Sequence, residues 1–519
     1  MANKKSRTLI FGTGAGGVNF YRNSRGNLNV VGFLDNNRDK QGQELFGKTI
    51  YAPARVSELA FDQIIIASDY HQEIYPQLVN ELAVSAAKIE VFSHHQATPG
   101  FFQRLRSRLE QFSYALVCRG PGWVSDLLYQ RVFAAKSDIK RFTLGWLDEA
   151  EANKVHVFRH AEPGSVLGPQ YLGREVAATP IIVPEVALYR FSQGLVRSIS
   201  RTVILPEGRL VTERVATALI DTADYTSGAL IYHGEASALA RTGTTPQYLE
   251  RGVLVSGGSE TNYYHWVLEV LSQLQFVREL PSEYDAYPIL ISEHSQIIPS
   301  IKALIDAMGI TRPLLLLKSV ASYCVWDLLL ISAPNNGIFN YKGPARCLPN
   351  YNFARPESIG FLRENGLSLA TEVDRSALPK RVFLGRKGFL RPYNQAEILA
   401  RLEPLGFECV YMEEQDIHHQ VAIMANADII IGPTGAAWTN IIFASPGARA
   451  LCWMAEEVGA LSCYSNLADI VGVDMNYIPY RANTSASREL YYKGYSIDAE
   501  TVVQWLAVGS VDSRHGNSR

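Results

Sequence analysis

One segment of the chain, ETNYYHWVLEVLSQL at residues 260–274, places a histidine and a carboxylate at helical spacing. His265 and Glu269 are four residues apart, so they share one face of a helix and can act on the same point in space. Either group can remove a proton from a hydroxyl, and the neighbouring Tyr264 and Trp266 offer rings that can stack on a sugar. The alternative is an amphipathic helix whose polar side does no chemistry.

Two later segments follow directly on strand-like runs, at the edge where α/β sheets bind ligands. The first is GRKGFLRPYN at 385–394, whose cations can neutralise a diphosphate, unless they are solvated surface charges. The second is GPTGAAWTN at 432–440, where small residues at a helix start can approach a phosphate, or simply allow close packing of helix on sheet. The candidate donor-binding residues are Arg386, Lys387, Arg391, Thr434, Gly435, Ala436, Thr439 and Asn440.

A third candidate site lies near the N-terminus, in GTGAGG at 12–17. Gly12, Gly14 and Gly17 follow the strand-like run TLIF, and Asp35 ends the next such run, where a ribose-binding acid would stand. This order predicts a Rossmann-like domain that binds NAD or another nucleotide, the alternative being a purely structural domain of that shape. From Leu9 to about Phe92 the sequence resembles the N-terminal domains of nucleotide-sugar dehydratases and sugar acyltransferases.

Taken in order, the motifs after residue 183 resemble glycosyltransferase family 61, which includes capsular-polysaccharide enzymes. The shared features are an NxxHWxxE-type helix, a strand ending in arginine, a GFE strand, a helix with Gln420 and a GxxGAxxTNxxF loop. The resemblance implies two Rossmann-like halves facing each other, the GT-B arrangement, and inversion at the anomeric carbon. It also implies that Arg386 and the loop 435–440 hold the donor diphosphate, that Asn262, Tyr264 and Trp266 contact the acceptor, and that His265 or Glu269 lies near the reacting hydroxyl.

The sequence departs from the family pattern at two positions. Thr434 stands where the loop usually has histidine, and Gln395 stands where glutamate often follows the asparagine at the helix start. The expected mechanism has Glu269 as the first choice of base and His265 as the second. The expected donor is a UDP-sugar, and the expected acceptor is an oligosaccharide or lipid-linked glycan in capsule or lipopolysaccharide synthesis.

Two other functions remain open at this point. The first is an NAD-dependent nucleotide-sugar oxidoreductase or epimerase acting at GTGAGG, although no YxxxK pair follows the first predicted sheet. The second is a non-catalytic nucleotide-sugar-binding protein, in which Thr434 and Gln395 mark lost chemistry. A change in nicotinamide absorbance with nucleotide-sugars would separate the first alternative from a transferase, and hydrolysis of the donor in the absence of acceptor would argue against the second.

Composition narrows the choice of partners and compartment. The 49 basic and 51 acidic residues nearly cancel, so no chain-wide charge favours nucleic acid. Six scattered cysteines without a CxxC pair, and no DxD motif, predict neither a metal site nor a disulfide framework, and transfer is expected to need no cofactor. A cytoplasmic protein is expected; the basic amphipathic stretch 101–117 is read as a packed linker helix, with docking at the inner face of the membrane as the alternative.

The length of 519 residues predicts several α/β domains. The expected division is a Rossmann-like nucleotide-binding domain at 1–100, a helical connector at 101–168, an acceptor half at 169–375, a donor half at 376–495, and a terminal helix and tail at 496–519. Within the donor half, the runs 381–385, 407–412 and 428–432 alternate with helical runs, which predicts a parallel sheet.

Overall fold

The structure of the chain is a computed structural model that divides into two compact units, Met1–Leu109 and Glu110–Arg519. It describes residues 6–14, 17–18, 20–21, 28–37, 40–68, 74–75, 77–85, 88–91, 101–134, 138–174, 176–198, 200–214, 229–243, 245–259, 262–319, 321–335, 352–387, 391–484, 490 and 493–512. Residues 336–351 lie outside these ranges, and a helix spanning Pro356–Ser368 follows them.

The first unit contains a sheet built around the predicted strands. Its strands are β1 (Arg7–Phe11), β2 (Asn29–Leu34), β3 (Glu44–Leu45), β4 (Lys48–Tyr51), β5 (Gln63–Ile66) and β6 (Ile89–Val91). They lie in the order β3-β4-β2-β1-β5-β6, and β1 pairs in parallel with both β2 and β5. Because β1 is buried on both faces, it reads as a continuous apolar run. The three strands predicted from the sequence here are confirmed.

The second unit begins with helices and continues with strands. Helix α1 spans Phe101–Arg119 and α2 spans Gly122–Leu128. The strands that follow are β7 (Ile139–Trp146), β8 (Lys154–Arg159), β9 (Glu162–Val166), β10 (Gln170–Tyr171), β11 (Thr179–Val183), β12 (Val186–Arg197), β13 (Val203–Ile204), β14 (Arg209–Thr212), β15 (Leu230–His233) and β16 (Ser237–Arg241). The segment 101–168, expected to be a helical connector, is therefore helical only in its first part.

The partners of β7 explain this difference. β7 pairs in parallel with β14 and antiparallel with β16, both far along the sequence. No local pattern in 139–146 reports such distant partners.

A large mixed sheet joins these strands to a second group: β17 (Gln247–Leu254), β18 (Ile289–Ser292), β19 (Leu314–Leu317) and β20 (Ser322–Ile331). In the described residues the order is β15-β16-β7-β14-β13-β12-β20-β17-β18-β19, and β8 also pairs with β12. The pairs among β17, β18, β19 and β20 are parallel, whereas β12 and β20 are antiparallel. The sheet is thus mixed rather than a purely parallel Rossmann sheet.

Helix α3 follows strand β17 in the chain. It comprises a helical turn Tyr263–His265, a π-helical segment Trp266–Leu271 and an α-helical segment Gln273–Arg278. The sequence predicts one continuous helix over this region, and the position of that helix is confirmed. The helices that follow are α4 (His294–Ile297), α5 (Pro299–Ala307) and α6 (Pro356–Ser368).

The C-terminal part contains the predicted parallel sheet. Its strands are β21 (Arg381–Leu384), β22 (Glu408–Val410), β23 (Ile429–Pro433), β24 (Arg449–Ala455) and β25 (Asp474–Tyr480), and the order is β10-β25-β24-β23-β21-β22. The intervening and final helices are α7 (Gln395–Leu402), α8 (Ile417–Asn426), α9 (Cys463–Val471) and α10 (Ala499–Asp512). All its pairs are parallel, so the carboxyl ends of the strands meet at one edge.

One hydrophobic cluster joins α3 to the C-terminal sheet. Trp266 from α3 and Trp438 from the loop after β23 are both almost fully buried in it. The two motif regions of the second unit therefore share a core, which fixes their relative position.

Candidate active site

The start of α3 is fixed by its own cap. The side-chain oxygen of Asn262 accepts hydrogen bonds from the backbone N–H groups of Tyr264 at 3.0 Å and His265 at 3.4 Å. An asparagine in this role satisfies two of the donors that a helix start leaves without partners. Asn262 therefore orients the first turn, in which His265 lies.

His265 and Glu269 form a hydrogen-bonded pair, which confirms the predicted shared face. Nδ1 of His265 bonds to Oε1 of Glu269, while Oε2 accepts from the backbone N–H of Gly258 at 2.7 Å. The Glu269 residue is only 6% exposed. If the carboxylate is ionised it can only accept, and in that state Nδ1 donates to it and Nε2 is the ring nitrogen that can take up a proton.

The glycines after β17 allow this arrangement. A Cβ atom at Gly257 would lie 3.0 Å from Oε2 of Glu269 and 2.9 Å from a side-chain carbon of Val270. A larger residue at 257 would therefore push α3 away from the strand end. A glycine pair directly after a strand is the sequence signal for such a close approach.

The two predicted aromatic contacts of α3 differ in their placement. Tyr264 lies edge-on to His265, with ring centroids 5.5 Å apart, and edge-on to Tyr464 at 5.9 Å. Burial raises the pKa of Tyr264 well above its usual value, so its phenol is neutral. Trp266 is 1% exposed and packs in the core, so its ring supports the helix instead of facing solvent.

A chain of hydrogen bonds connects α3 to the loop after β23. The hydroxyl of Tyr263 donates to Oδ1 of Asn440 at 2.7 Å, and Nδ2 of Asn440 donates to Gln420 at 2.9 Å. Asn440 is 1% exposed and Thr439 is fully buried, within a 3-10 helix spanning Ala436–Phe443. Asn440 thus joins the two halves of the site, a role that the sequence did not indicate.

Two arginines converge on the carboxyl end of β23. Nη2 of Arg386 and Nη1 of Arg391 both donate to the backbone carbonyl of Thr434, the latter at 3.1 Å. Nη1 of Arg386 is buried and has no hydrogen-bond partner, and Arg386 forms no ion pair with any acidic residue that the structure describes. Burial, together with the nearby Arg391, lowers the pKa of Arg386. A desolvated cation beside another cation is an arrangement that a bound anion would stabilise.

The other predicted donor-side residues have different surroundings. The ammonium of Lys387 pairs with Glu414 and lies 4.2 Å from the centre of the Tyr411 ring. The hydroxyl of Thr434 donates to the backbone carbonyl of Trp453. A Cβ atom at Gly435 would lie 3.1 Å from Nη2 of Arg386, which explains a small residue there.

Gln395 organises the loop that carries Arg386. Its Oε1 accepts from the backbone N–H of Arg386 at 2.8 Å and from the hydroxyl of Tyr393 at 2.7 Å, and its Nε2 donates to Tyr411 at 3.3 Å. The amide therefore uses both its acceptor and its donor group. An uncharged side chain with three hydrogen bonds stands where the family pattern has glutamate.

A stack of tyrosines lies beside the two arginines, and sequence reasoning missed it. The rings of Tyr393 and Tyr495 are 5.4 Å apart and nearly parallel, and Tyr480 stacks on Tyr495 at 3.8 Å. Burial raises the pKa of Tyr495, and the positive charge of Arg386 acts against this shift. The three residues come from separate segments, so only the fold brings them together.

At the glycine turn of the N-terminal unit, the candidate ribose-binding residue Asp35 is already hydrogen-bonded to a neighbouring residue. The Asp35 carboxylate accepts from the backbone N–H of Thr13 at 3.0 Å and from its hydroxyl, and it lies 3.5 Å from Nζ of Lys40. Burial alone would raise the pKa of Asp35, but these bonds outweigh it and the pKa lies below its usual value. Gly12 has a positive φ of 106°, and a Cβ at Gly17 would overlap the Gly12 carbonyl oxygen. Nothing lies within 4 Å of a Cβ built at Gly14.

Across the described ranges, no group of three or more His, Cys, Asp or Glu side chains could hold a metal ion. No described helix has the length and apolar character needed to cross a bilayer.

Comparison with known proteins yields two family matches. Residues 4–90 match the model described as C2185-like, N-terminal, and residues 263–451 match Glycosyltransferase 61. The comparison with curated proteins gives no match.

Solved structures add little to these matches. UDP-D-quinovosamine 4-dehydrogenase from Vibrio fischeri is 19% identical, with 20% of this chain and 87% of that chain covered and a TM-score of 0.15. RSP, a Rex-family repressor, is 19% identical, with 21% and 62% covered and a TM-score of 0.16. These TM-scores are too low to support an argument. The family match over residues 263–451, which contains His265, Glu269, Arg386 and the loop after β23, supports a glycosyltransferase of family 61.

Proposed function

We propose that this chain is an inverting glycosyltransferase that moves a sugar from a nucleotide-sugar, with UDP-sugars as the first candidates, to a hydroxyl of a glycan acceptor. The observation that carries the proposal is that one unit connects a candidate catalytic pair to a candidate anion-binding loop. A His265–Glu269 pair lies at the start of α3, and the bond from Tyr263 to Asn440 ties that helix to the loop next to Arg386.

The donor diphosphate would bind at the carboxyl end of β23. Arg386 and Arg391 provide positive charge there, and the buried Nη1 of Arg386 is a donor that an anionic oxygen would satisfy. These cations would stabilise the leaving nucleotide diphosphate as negative charge develops on it, so the proposed transfer needs no metal ion. Gly435 and Ala436 would let phosphate oxygens approach the backbone of the loop.

His265 is the proposed base, and Glu269 is the residue that orients it. This reverses the order expected from the sequence, because both oxygens of Glu269 are engaged and the residue is 6% exposed. The carboxylate holds the proton on Nδ1 and stabilises the imidazolium that forms when Nε2 accepts a proton. Tyr264, edge-on to His265, and the Asn262 cap would position the acceptor beside the ring.

The reaction then balances as a single displacement. Nε2 of His265 takes the proton of the acceptor hydroxyl, and the acceptor oxygen forms a bond to the anomeric carbon. The bond from that carbon to the diphosphate oxygen breaks, and its electron pair leaves with the nucleotide diphosphate toward Arg386. Attack from the face opposite to the leaving group inverts the anomeric configuration.

The proposal extends to architecture and biological context. The mixed sheet around β17–β20 and the parallel sheet around β23 would form the two halves of a GT-B enzyme, with the acceptor on the first and the donor on the second. An oligosaccharide or lipid-linked acceptor in capsule or lipopolysaccharide synthesis fits a family 61 transferase. Thr434 and Gln395, the two departures from the family pattern, are integrated into the site by hydrogen bonds, which argues against a degenerate, non-catalytic protein.

Donor binding tests the first half of the proposal. Titration calorimetry with UDP should show binding that Arg386→Ala weakens roughly ten- to a hundredfold, because a hydrogen bond to a charged group contributes about 1.5–3 kcal/mol. Lys387→Ala is the matched control, since that ammonium is already paired with Glu414, and it should weaken binding much less. Equal losses in both variants would contradict the assignment. If other nucleoside diphosphates bind and UDP does not, the nucleotide of the donor is reassigned from uridine to the one that binds.

Transfer tests the second half. His265→Ala should abolish formation of glycosylated acceptor, followed by mass spectrometry, while UDP affinity is retained. His294→Ala is the control, because His294 follows β18 at the same sheet edge but bonds to Ser292 instead of a carboxylate. Turnover of the wild-type order in His265→Ala would refute the role of the base.

The N-terminal unit is proposed to bind NAD or another nucleotide at its glycine turn only if Asp35 exchanges its bonds to Thr13 for bonds to a ribose. Thermal-shift measurements with NAD, UDP and UDP-sugars test this, since ligand binding raises the melting temperature. Stabilisation by NAD that Asp35→Asn removes would support such a site. The oxidoreductase alternative would further require a change in nicotinamide absorbance with a nucleotide-sugar.

A further inference from the structure

Helices α1 and α2 expose large apolar side chains. Phe112 on α1 is 62% exposed, and Trp123 on α2 is 75% exposed. Leu127 lies four residues after Trp123, so the two share one face of α2, and Leu127 is more than half exposed. We call Phe112, Trp123 and Leu127 the α1–α2 surface.

The outward direction of this surface is fixed by packing on the opposite side. Tyr114, Val117 and Cys118 of α1 are buried in a cluster with Phe133 and Ile139. This anchoring leaves the helices no freedom to turn their exposed apolar side chains inward.

Polar and backbone contacts reinforce the anchor. The hydroxyl of Ser125 in α2 donates to the carbonyl of Val117, and that of Ser237 donates to the carbonyl of Cys118 at 3.1 Å. A Cβ atom at Gly234 would lie 2.1 Å from the same Cys118 carbonyl oxygen, so α1 packs directly on backbone. The inner faces of both helices are therefore occupied within the second unit, and the side chains of the α1–α2 surface are not part of that packing.

Charge distinguishes this stretch from the rest of the chain. Residues 101–134 contain five arginines and two acids, whereas the whole chain has a formal charge of -2. The arginines are Arg104, Arg106, Arg108, Arg119 and Arg131. Both acids are engaged, since Glu110 accepts from the Tyr114 hydroxyl at 2.7 Å and Asp126 pairs with Arg141. The apolar side chains thus lie in a locally basic stretch.

We propose that the α1–α2 surface docks on an anionic lipid bilayer, with Phe112 and Trp123 entering the headgroup region. Exposed aromatic and leucine side chains in an arginine-rich stretch of sequence are the combination that binds at the interface of a membrane with negative headgroups. A second copy of this chain is a poorer partner, because a symmetric contact would bring the same basic stretch against itself.

The test is cosedimentation of the full-length protein with vesicles. Binding is expected to vesicles of phosphatidylcholine mixed with phosphatidylglycerol, to weaken with added salt, and to be much weaker to phosphatidylcholine alone. Trp123→Ser and Phe112→Ser should each weaken binding roughly tenfold, the effect of withholding one large apolar side chain from the interface. The fluorescence of the wild-type protein should shift to shorter wavelength on binding, and this shift should shrink in Trp123→Ser.

Trp326→Ser is the matched control, because Trp326 is also exposed but lies on β20. It should bind vesicles like the wild-type protein. The proposal is overturned if the protein does not bind anionic vesicles, or if Trp123→Ser and Phe112→Ser bind them as well as the wild type. It is also overturned if Trp326→Ser weakens vesicle binding as much as Trp123→Ser does. Self-association that Trp123→Ser abolishes, seen by sedimentation velocity without any vesicle binding, would instead assign the surface to a second copy.

Discussion

The most informative substitution is Glu269→Gln, because it keeps the shape of the side chain and removes its charge. In the native protein the carboxylate accepts two hydrogen bonds, from the Gly258 N–H at 2.7 Å and from Nδ1 of His265. A glutamine offers one accepting oxygen and one NH2 group. Because the backbone N–H of Gly258 cannot change its role, the oxygen will face Gly258 and the NH2 group will face His265.

That orientation places the imidazole in the wrong tautomer. Nδ1 must then accept, so the ring proton moves to Nε2, which can no longer take a proton from the acceptor. Loss of the carboxylate also removes the charge that stabilises the imidazolium. Together these effects should lower kcat by about 10²–10⁴-fold, equivalent to roughly 3–5 kcal/mol of transition-state stabilisation.

The assay is steady-state transfer at saturating donor and acceptor, with UDP affinity measured separately. The affinity should stay near the wild-type value, because Arg386 is untouched. Glu293→Gln is the control: Glu293 follows β18, and its carboxylate accepts from the backbone N–H of Ser319 at 3.2 Å instead of orienting an imidazole on α3. A kcat for Glu269→Gln close to that of Glu293→Gln would refute the orienting role of Glu269.

Three further predictions concern packing and reactivity. Tyr263→Phe removes the hydrogen bond that joins α3 to the loop after β23. It should lower the free energy of unfolding in urea by about 1 kcal/mol, and it should lower kcat with little change in UDP affinity. An unchanged kcat would show that the reaction does not depend on this hydrogen bond. Gly366→Ala places a Cβ 2.2 Å from a ring carbon of Phe443 and should destabilise by about 1–3 kcal/mol, whereas Gly360→Ala in the same helix meets nothing within 4 Å and should be neutral or stabilising. Burial raises the pKa of Cys452 to about 12, so mass spectrometry should find it unmodified after iodoacetamide treatment of the native protein at neutral pH; rapid labelling there would contradict its burial.

The sequence predicts the C-terminal sheet well because its signals are local. Each strand there is a short apolar run followed by an amphipathic helix, and parallel strands bring their carboxyl ends to one edge. The placement of Arg386 and Thr434 at that edge follows from this alternation. The i, i+4 spacing likewise predicts that His265 meets Glu269.

What the sequence does not predict depends on distant partners. The second oxygen of Glu269 binds Gly258, and the buried Asn440 receives its bond from Tyr263, 177 residues away. The strands inside 139–166 acquire their neighbours from later segments, and the tyrosine stack beside Arg386 draws its rings from three of them. Such contacts leave no periodic signal in the segments that make them.

Strand β10 has a consequence for how the chain is made. It consists of Gln170 and Tyr171, yet it forms the edge of the C-terminal sheet by pairing with Asn476 and Tyr477 of β25. During synthesis this edge strand leaves the ribosome about 300 residues before its partner, which at roughly 5–20 residues per second corresponds to about 15–60 s. The C-terminal sheet therefore cannot close at this edge until Asn476 and Tyr477 have been synthesised, and the proposed donor site belongs to a sheet that is complete only after that point.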